Sequence, residues 1–375
     1  YRVSDDISVV GAFMLARLTP RAVVLGFGES LATRLSPRSL AAIDLLRAAL
    51  IVTLTFVSTR SDLVWAAAVV LALGFASAVV DSARAAMLPR VVSPLRLGAA
   101  NALNARMERV SFVVSPLLAA GVLWLWTVDV ALLVHAGALT LSALMLGTAS
   151  ARRSEDAPLR DGATVSESGT TVGRGTRPEL TVLAAGLFTG AAIAISLKIS
   201  LIALVDDAFD RSDASLGLLL AAVGFGTIAG PVPIPRILGR FPASLAVAGC
   251  VWALAILLAL IARTDSLLIA ALLLVVVGYI SITNDVLAAT ATRRLTPEFQ
   301  LVATTRMMVA AVVVGQIVAT LALVVLTRFW EVTTVTMMIG VVGALVVSVL
   351  LVARDGKAIV EGLSALPGAG KLAKR

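Results

Sequence analysis

This chain of 375 residues has little of what most catalytic, metal-binding or secreted proteins depend on. It contains one cysteine, Cys250, and one histidine, His135, which excludes a disulfide framework, a cysteine-based metal site and a histidine cluster. The sequence also lacks a Gly-rich phosphate loop and a Ser-His-Asp arrangement. We therefore expect a protein that is not an enzyme and that binds no metal or cofactor.

Charged residues are also scarce, at 14% of the chain against about a quarter in soluble domains. Apolar residues reach 59%, and the mean hydropathy is +0.99. Apolar stretches of roughly 20 residues recur along the chain, and one helix of that length crosses a bilayer. The sequence thus predicts an all-α polytopic membrane protein with eleven spans. They lie at 7–31, 40–59, 63–86, 99–123, 130–150, 180–205, 214–235, 243–262, 266–290, 300–326 and 332–353.

The basic residues cluster on one side of these spans. That side holds Arg34, Arg38, Arg90, Arg96, Arg152, Arg153, Arg236, Arg240, Arg293 and Arg294. By the positive-inside rule it is cytoplasmic, as is the C-terminus. The formal net charge of +8 therefore reflects membrane topology, and we expect no nucleic-acid partner.

A polar interval at 151–179 divides the spans into five and six. We predict an N-terminal transmembrane bundle at 1–150, a cytoplasmic linker at 151–179, a C-terminal six-helix bundle at 180–353 and a cytoplasmic tail at 354–375. Because the orientation leaves Tyr1 outside, we expect one further helix ahead of it. The N-terminal bundle as given would then lack its first helix, and the full count would be twelve.

A weak internal repeat supports two related halves. Ala105-Arg106-Met107 precedes Thr305-Arg306-Met307 by 200 positions, and Asp81 and Asp285 occupy similar places at cytoplasmic helix ends. Two pseudo-symmetric helical bundles are the architecture of many secondary transporters.

Two basic residues lie deep within predicted spans, where a charge costs about 2.5 to 3.5 kcal/mol. Lys198 either faces a cavity that attracts an anionic group or extends its ammonium to the outer interface. Arg17 either faces the same cavity or binds carbonyls exposed near Pro20. We therefore take Arg17 and Lys198 as candidate substrate-cavity residues.

Several carboxylates are within reach of the membrane. Burial raises a carboxyl pKa toward the working range, so the candidates for proton coupling are Asp81, Glu108, Asp44 and Asp285. Two of them have an arginine three residues later, which predicts the local pairs Asp44 with Arg47 and Asp81 with Arg84. His135 is either a proton carrier or a packed interface residue.

The segment Asp81-Ser82-Ala83-Arg84-Ala85-Ala86-Met87-Leu88-Pro89-Arg90-Val91-Val92-Ser93-Pro94, followed by Leu97-Gly98-Ala99-Ala100-Asn101-Ala102-Leu103-Asn104, resembles a signature region of the major facilitator superfamily. Within that superfamily it is most similar to the enterobactin-exporter and macrolide-efflux-like branch. The resemblance implies a twelve-helix major facilitator fold, a substrate cavity between the halves, alternating access and proton-coupled export. It also places one helix ahead of Tyr1.

Two family motifs are present in altered form. Residues 31–38 resemble the loop motif between helices two and three, with Arg34 retained and Thr33 in place of the usual Asp. Residues 115–120 resemble the antiporter motif through Pro116. We assign gating or structural roles to Arg34, Arg47, Arg84, Arg106 and Pro116.

The main hypothesis is a proton-coupled exporter of a small amphipathic molecule, drug-like or siderophore-like. It would be a multi-pass protein of the bacterial inner membrane and act as a monomer, with membrane lipid, substrate and protons as partners. One alternative is a lipid or lysolipid transporter, which requires a side opening between helices. Another is a transport-incompetent membrane scaffold, which a sealed interior filled by large apolar side chains would favour.

Overall fold

The structure is a computed structural model, and it describes residues 7–32, 35–153, 177–208, 213–229, 240–264 and 266–364. These residues form eleven α-helices and one 3-10 turn, Leu54–Phe56. The helices are α1 (Ile7–Ala32), α2 (Pro37–Thr53), α3 (Asp62–Val91), α4 (Pro94–Leu125), α5 (Val128–Arg153), α6 (Arg177–Ala208), α7 (Asp213–Ala229), α8 (Ala243–Ile261), α9 (Leu267–Leu295), α10 (Glu298–Leu326) and α11 (Val332–Ser364).

Polar residues and prolines set the helix boundaries. Pro37 begins α2, where its missing N–H costs nothing, and the Ser36 hydroxyl accepts a 3.1 Å bond from the Ser39 amide. At the start of α3, the Asp62 carboxylate accepts bonds from the Ser58 and Thr59 amides of the preceding turn at 3.0 and 2.8 Å. Short polar connections thus separate the apolar helices.

Ten of the described helices are long and apolar enough to cross a membrane. The eleventh, α7, contains a shorter apolar stretch at 215–228. These helices coincide with the predicted spans, and several extend a few residues further. The predicted all-α polytopic fold is confirmed, and the chain is a multi-pass integral membrane protein.

The helices pack in two bundles that repeat one contact pattern. In the first, α1 packs on α3 and α2 on α5; in the second, α7 packs on α9 and α8 on α11. The contacts between the bundles are related in the same way, because α1 packs on α10 and α4 packs on α7. The second bundle also contains α6, which packs on α8, α9, α10 and α11.

The contacts between the bundles lie toward one end of the molecule. We call the end where α5 finishes and α6 begins the linker end, and the opposite end the distal end. A Cβ added to Gly11 near the start of α1 would lie 2.3 Å from the Val324 side chain of α10. One added to Gly217 near the start of α7 would lie 2.9 Å from the Ala120 Cα of α4. The bundles are therefore in close contact toward the distal end.

Toward the linker end the helices open. On α9, Leu274 and Gly278 are buried, whereas Asp285 and Ala289 further along the same stripe are exposed. Residues four and seven apart share one helix face, so these four residues lie on the same side of α9. That side is packed against other helices in the middle of α9 and is no longer covered by them toward the linker end. We call the opening that Asp285 faces the linker-end cleft.

Candidate functional site

Lys198 is the one exposed side chain between Val182 and Val205, all of which the structure describes. Its neighbours Leu197 and Ile199 are 5% and 0% exposed. The surrounding helix, α6, is also the most buried of the described spans, with 61% of its residues buried. Lys198 therefore faces an opening in an otherwise packed helix, as a cavity-lining residue does.

Arg17 is exposed on α1, directly beside the buried Leu18. Leu18 belongs to the apolar cluster that joins α1 to α6 and α10, which includes Ile195 and Ile199. This packing brings Arg17 to the junction of the bundles, beside the stretch of α6 that carries Lys198. The two basic residues that the sequence singled out thus share one region.

The helix around Arg17 has a local irregularity. Pro20 lies within α1, and the Thr19 hydroxyl donates a 2.8 Å bond to the Leu15 carbonyl. A Cβ added to Gly74 of α3 would lie 2.9 Å from the Arg17 carbonyl, so α3 approaches the backbone of α1 closely here. The glycine and the proline therefore fix the position from which the Arg17 side chain projects.

His135 lies on α5 and is exposed. No described ion pair or hydrogen bond joins it to Arg17 or Lys198, so its role stays a prediction. Arg17 and Lys198 form a basic region at the junction of the bundles. Such a region favours an anionic group on any molecule that enters it.

Asp44 has a different environment from the other candidate carboxylates. It is fully buried on α2 and accepts bonds from Arg47 at 2.8 Å, Arg84 of α3 at 3.2 Å and Ser142 of α5 at 3.0 Å. We call this the Asp44 clamp. These three bonds join α2 to α3 and α5 of the first bundle, and the role of Asp44 in proton coupling stays a prediction.

In place of the predicted pair of Asp81 with Arg84, each of these two residues pairs with a residue of another helix. Arg84 reaches Asp44, and Asp81 pairs with Arg21 of α1 at 3.7 Å, with side chains 58% and 55% exposed. The reason is that α2 and α1 bring carboxylate and guanidinium groups closer than the local helix spacing does. The predicted pair of Asp44 with Arg47 is present, at 2.8 Å.

Asp285 on α9 is the counterpart of Asp81 on α3. Each follows a glycine by seven residues, and Gly74 and Gly278 are the points where α3 and α9 press against the backbones of α1 and α7. Both carboxylates are exposed. Among the residues that the structure describes, no basic side chain forms an ion pair with Asp285.

Asn284, next to Asp285, attaches α9 to α6. It is fully buried, and its Nδ2 lies 3.5 Å from the Gly186 carbonyl and against Gly190, where an added Cβ would lie 2.9 Å away. Lys198 is eight residues beyond Gly190, or about 12 Å along α6 toward the distal end. The carboxylate of the cleft and the basic pair therefore lie at different depths.

The remaining predicted residues lie apart from this region or outside the description. Arg106 and Glu108 are exposed on α4, and Pro116 is half-buried within the same helix. Arg34 lies outside the described residues, so its assigned role stays a prediction. In the described part of the chain, no group of three His, Cys, Asp or Glu residues is placed to hold a metal ion.

The sequence analysis missed Ser142 and Asn284. Asn284 could have been found from the sequence, because an amide buried in an apolar span costs free energy unless it is hydrogen-bonded. The equal spacing of Gly74 from Asp81 and of Gly278 from Asp285 could also have been noticed in the sequence. Nothing in the sequence distinguishes Ser142, because small hydroxyl residues are common in membrane helices.

Solved structures with the same architecture are secondary transporters. The chain superimposes on a nucleoside transporter, NupG, with a TM-score of 0.62 and 13% identity, covering 94% of this chain and 90% of that one. A peptide transporter, POT, solved in complex with alafosfalin, superimposes with a TM-score of 0.66 and 13% identity, covering 93% of this chain and 85% of that one. A bacterial homologue of the human lysosomal transporter Spinster, inward-facing and unoccupied, superimposes with a TM-score of 0.59 and 12% identity, covering 94% of this chain and 96% of that one.

These are transporters of the major facilitator type, and the chain has their fold, as the sequence resemblance implied. No protein-family model matches the sequence, and no curated protein sequence matches it significantly.

Proposed function

We propose that this chain is a secondary active transporter that exports a small amphipathic molecule, drug-like or siderophore-like, in exchange for protons. The observation that carries the proposal is the exposure of Lys198 within the most buried helix, across the bundle junction from Arg17. Two cations at that depth favour a substrate with an anionic group. The open linker end and closed distal end suit one state of an alternating-access cycle.

Asp285 is our choice for the coupling carboxylate. It faces the linker-end cleft and, among described residues, has no basic partner to hold its charge. Asp81 occupies the equivalent place in the first bundle but is paired with Arg21. Protonation of Asp285 from the linker side would alter the charge of the cleft that the substrate enters.

We further propose that the protein lies in the bacterial inner membrane, with the linker end and the C-terminus in the cytoplasm. The distribution of arginine and lysine supports this orientation. In it, the linker-end cleft faces the cytoplasm, and the basic region is reached from the side on which an exported molecule is collected.

The test uses the purified chain in proteoliposomes with a pH-sensitive dye inside. The probes are catecholates, aryl sulfonates and, for comparison, cationic dyes. We expect the anionic probes to accelerate dissipation of an imposed pH gradient, and Asp285→Asn to abolish this. If no probe's flux responds to the gradient, the coupling claim is wrong.

Variants at the basic pair test the substrate region separately. Lys198→Gln and Arg17→Gln should slow transport of the anionic probes, and Lys198→Arg should retain it because the charge is kept. Arg263→Gln, an exposed change at the distal end, is the matched control. Undiminished transport by the Lys198→Gln, Arg17→Gln double variant would remove the site assignment.

The lipid-transport alternative has one observation in its favour, an apolar groove that opens sideways between α10 and α11. Its floor is α6, which separates it from the junction of the bundles. A fluorescent phospholipid that this protein moves between leaflets of the same proteoliposomes would favour lipid transport. A sealed interior would favour the scaffold alternative, and the exposure of Asp285 at the linker-end cleft supports the transport proposal instead.

A further inference from the structure

Gln316 is a polar residue near the middle of the apolar helix α10. Its side chain is half-buried. Its backbone carbonyl accepts a 2.7 Å hydrogen bond from the Thr320 hydroxyl, but among the described residues nothing bonds to its side-chain amide. An amide within an apolar span costs free energy unless it is hydrogen-bonded. Gln316 therefore requires a partner that the described part of the chain does not supply.

The face of α10 that carries Gln316 opens toward the linker end. Leu323, seven residues toward the distal end, is 2% exposed, whereas Val309, seven residues toward the linker end, is 42% exposed. Thr305, one turn further, is also exposed. Residues at these spacings share one helix face. Gln316 thus lies where this face stops being covered, the same change that defines the linker-end cleft on α9.

α9 and α10 lie on either side of one face of α6. Gly190 of α6 meets α9, Phe188 meets α10 and Thr189 meets α11. At about 100° per residue, Lys198 lies directly opposite Thr189 and midway between the directions of Gly190 and Phe188. The open faces of α9 and α10 therefore flank the side of α6 that carries Lys198, and both border the linker-end cleft.

Arg17 of α1 lies at nearly the same depth as Gln316. The two helices run in opposite directions and touch where Gly11 meets Val324. Arg17 follows Gly11 by six residues, or about 9 Å, and Gln316 precedes Val324 by eight, or about 12 Å, both toward the linker end. Packed helices have axes about 8 to 10 Å apart, so both side chains can reach one bound molecule. Within the part of the chain that the structure describes, Arg17 forms no ion pair.

An apolar cluster closes the space on the distal side of both residues. Leu323, which shares the face of Gln316, belongs to this cluster. Val10 and Met14, seven and three residues before Arg17, belong to it as well, together with two buried isoleucines of α6. A molecule that reaches Arg17 and Gln316 from the cleft therefore places its far side against hydrocarbon.

We propose that Gln316 is a substrate-binding residue that selects, together with Arg17, small apolar molecules with an anionic group and a neutral hydroxyl or amide group. This inference rests on the proposed transport function and narrows its substrate class to hydroxy acids and their amide analogues. Arg17 binds the anionic group, and the Gln316 amide, which both donates and accepts, binds the neutral one. Such a site rejects an analogue that lacks the second group, because the amide then stays unpaired.

The experiment measures binding of 3-hydroxybenzoate and 3-methylbenzoate to the detergent-solubilised full chain. The two probes have the same charge and nearly the same shape, and they differ in one hydroxyl group. We expect 3-hydroxybenzoate to bind about fivefold more tightly, which is the factor that one net hydrogen bond contributes. Gln316→Leu should abolish this preference by weakening the hydroxylated probe alone, whereas Arg17→Gln should weaken both probes.

Two further variants separate recognition from damage to the fold. Val314→Leu, an exposed change two residues away on α10, is the matched control and should leave both affinities unchanged. Gln316→Glu should weaken both probes, because a carboxylate beside Arg17 neutralises its charge. Gln316→Leu should not lower the melting temperature, since it removes an unpaired amide.

The outcomes distinguish this inference from the transport proposal. If Gln316→Leu keeps the preference, or weakens both probes equally, Gln316 does not select the substrate, and transport of anionic probes in proteoliposomes is unaffected by that result. Equal binding of the two probes to the unmodified chain would overturn the inference as well. If neither probe binds, the inference is wrong, and the proteoliposome assay with the other anionic probes decides the transport proposal separately.

Discussion

The two bundles repeat one packing pattern but bury their helices to different extents. In the second bundle 28% of the α10 span and 28% of the α11 span are buried; for their counterparts α4 and α5 the shares are 12% and 11%. The difference follows from α6, on which both α10 and α11 pack, because no described helix of the first bundle has the equivalent position. A central helix therefore supplies much of the burial of its neighbours.

The bundles also differ in what holds them together. The first has the Asp44 clamp, in which one buried carboxylate joins α2, α3 and α5. The second has close backbone contact between α7 and α9, where Gly226 and Gly278 leave no room for a side chain. Polar bonding carries more of the stability where apolar packing is thinner, and this contrast can be tested.

The largest effect is expected at the clamp. Asp44→Ala leaves Arg47 and Arg84 without their carboxylate, and breaking a buried pair costs about 3 to 5 kcal/mol. The measurement is thermal unfolding of the detergent-solubilised chain. Asp129→Ala, at an exposed position on α5, is the control and should change little. An unchanged melting temperature for Asp44→Ala would mean that the clamp contributes nothing.

A smaller effect is expected at the glycine contacts, and it should differ between bundles. A Cβ at Gly278 would lie 1.9 Å from the Val223 carbonyl. Gly278→Ala should therefore push α9 away from α7 and lower the free energy of unfolding by about 1 to 3 kcal/mol. At Gly74 the corresponding distance is 2.9 Å, so Gly74→Ala should cost less. Gly137→Ala meets open space and serves as control. A larger loss for Gly74→Ala would reverse the comparison.

The smallest effect is expected for the exposed pair of Arg21 and Asp81. Both side chains are more than half exposed and lie 3.7 Å apart, and such pairs contribute at most about 1 kcal/mol. Arg21→Gln and Asp81→Asn should each leave the melting temperature nearly unchanged, and so should the double variant. A strong, salt-dependent loss would show instead that the pair locks α1 to α3.

The apolar spans were predictable because their length is set by the bilayer, and that constraint is local in sequence. The pairing of charges was not, since Arg84 finds Asp44 forty residues away and on another helix. Lys198 and Arg17 were identified individually from the cost of a buried charge. Their proximity to each other could not be predicted, because it depends on how α1 packs against α6 and not on the spacing of residues along one helix.

The Asn284 amide and the Asp44 clamp together bear on how the molecule can move. Asn284 ties α9 to α6 within the second bundle, and the clamp ties α2 to α3 and α5 within the first, so these contacts oppose sliding of those helices past one another. Displacement is then expected mainly at the two related seams between the bundles, α1 with α10 and α4 with α7. Because the same rotation would strain both seams at once, they should part together, and the closed end should behave as a single latch.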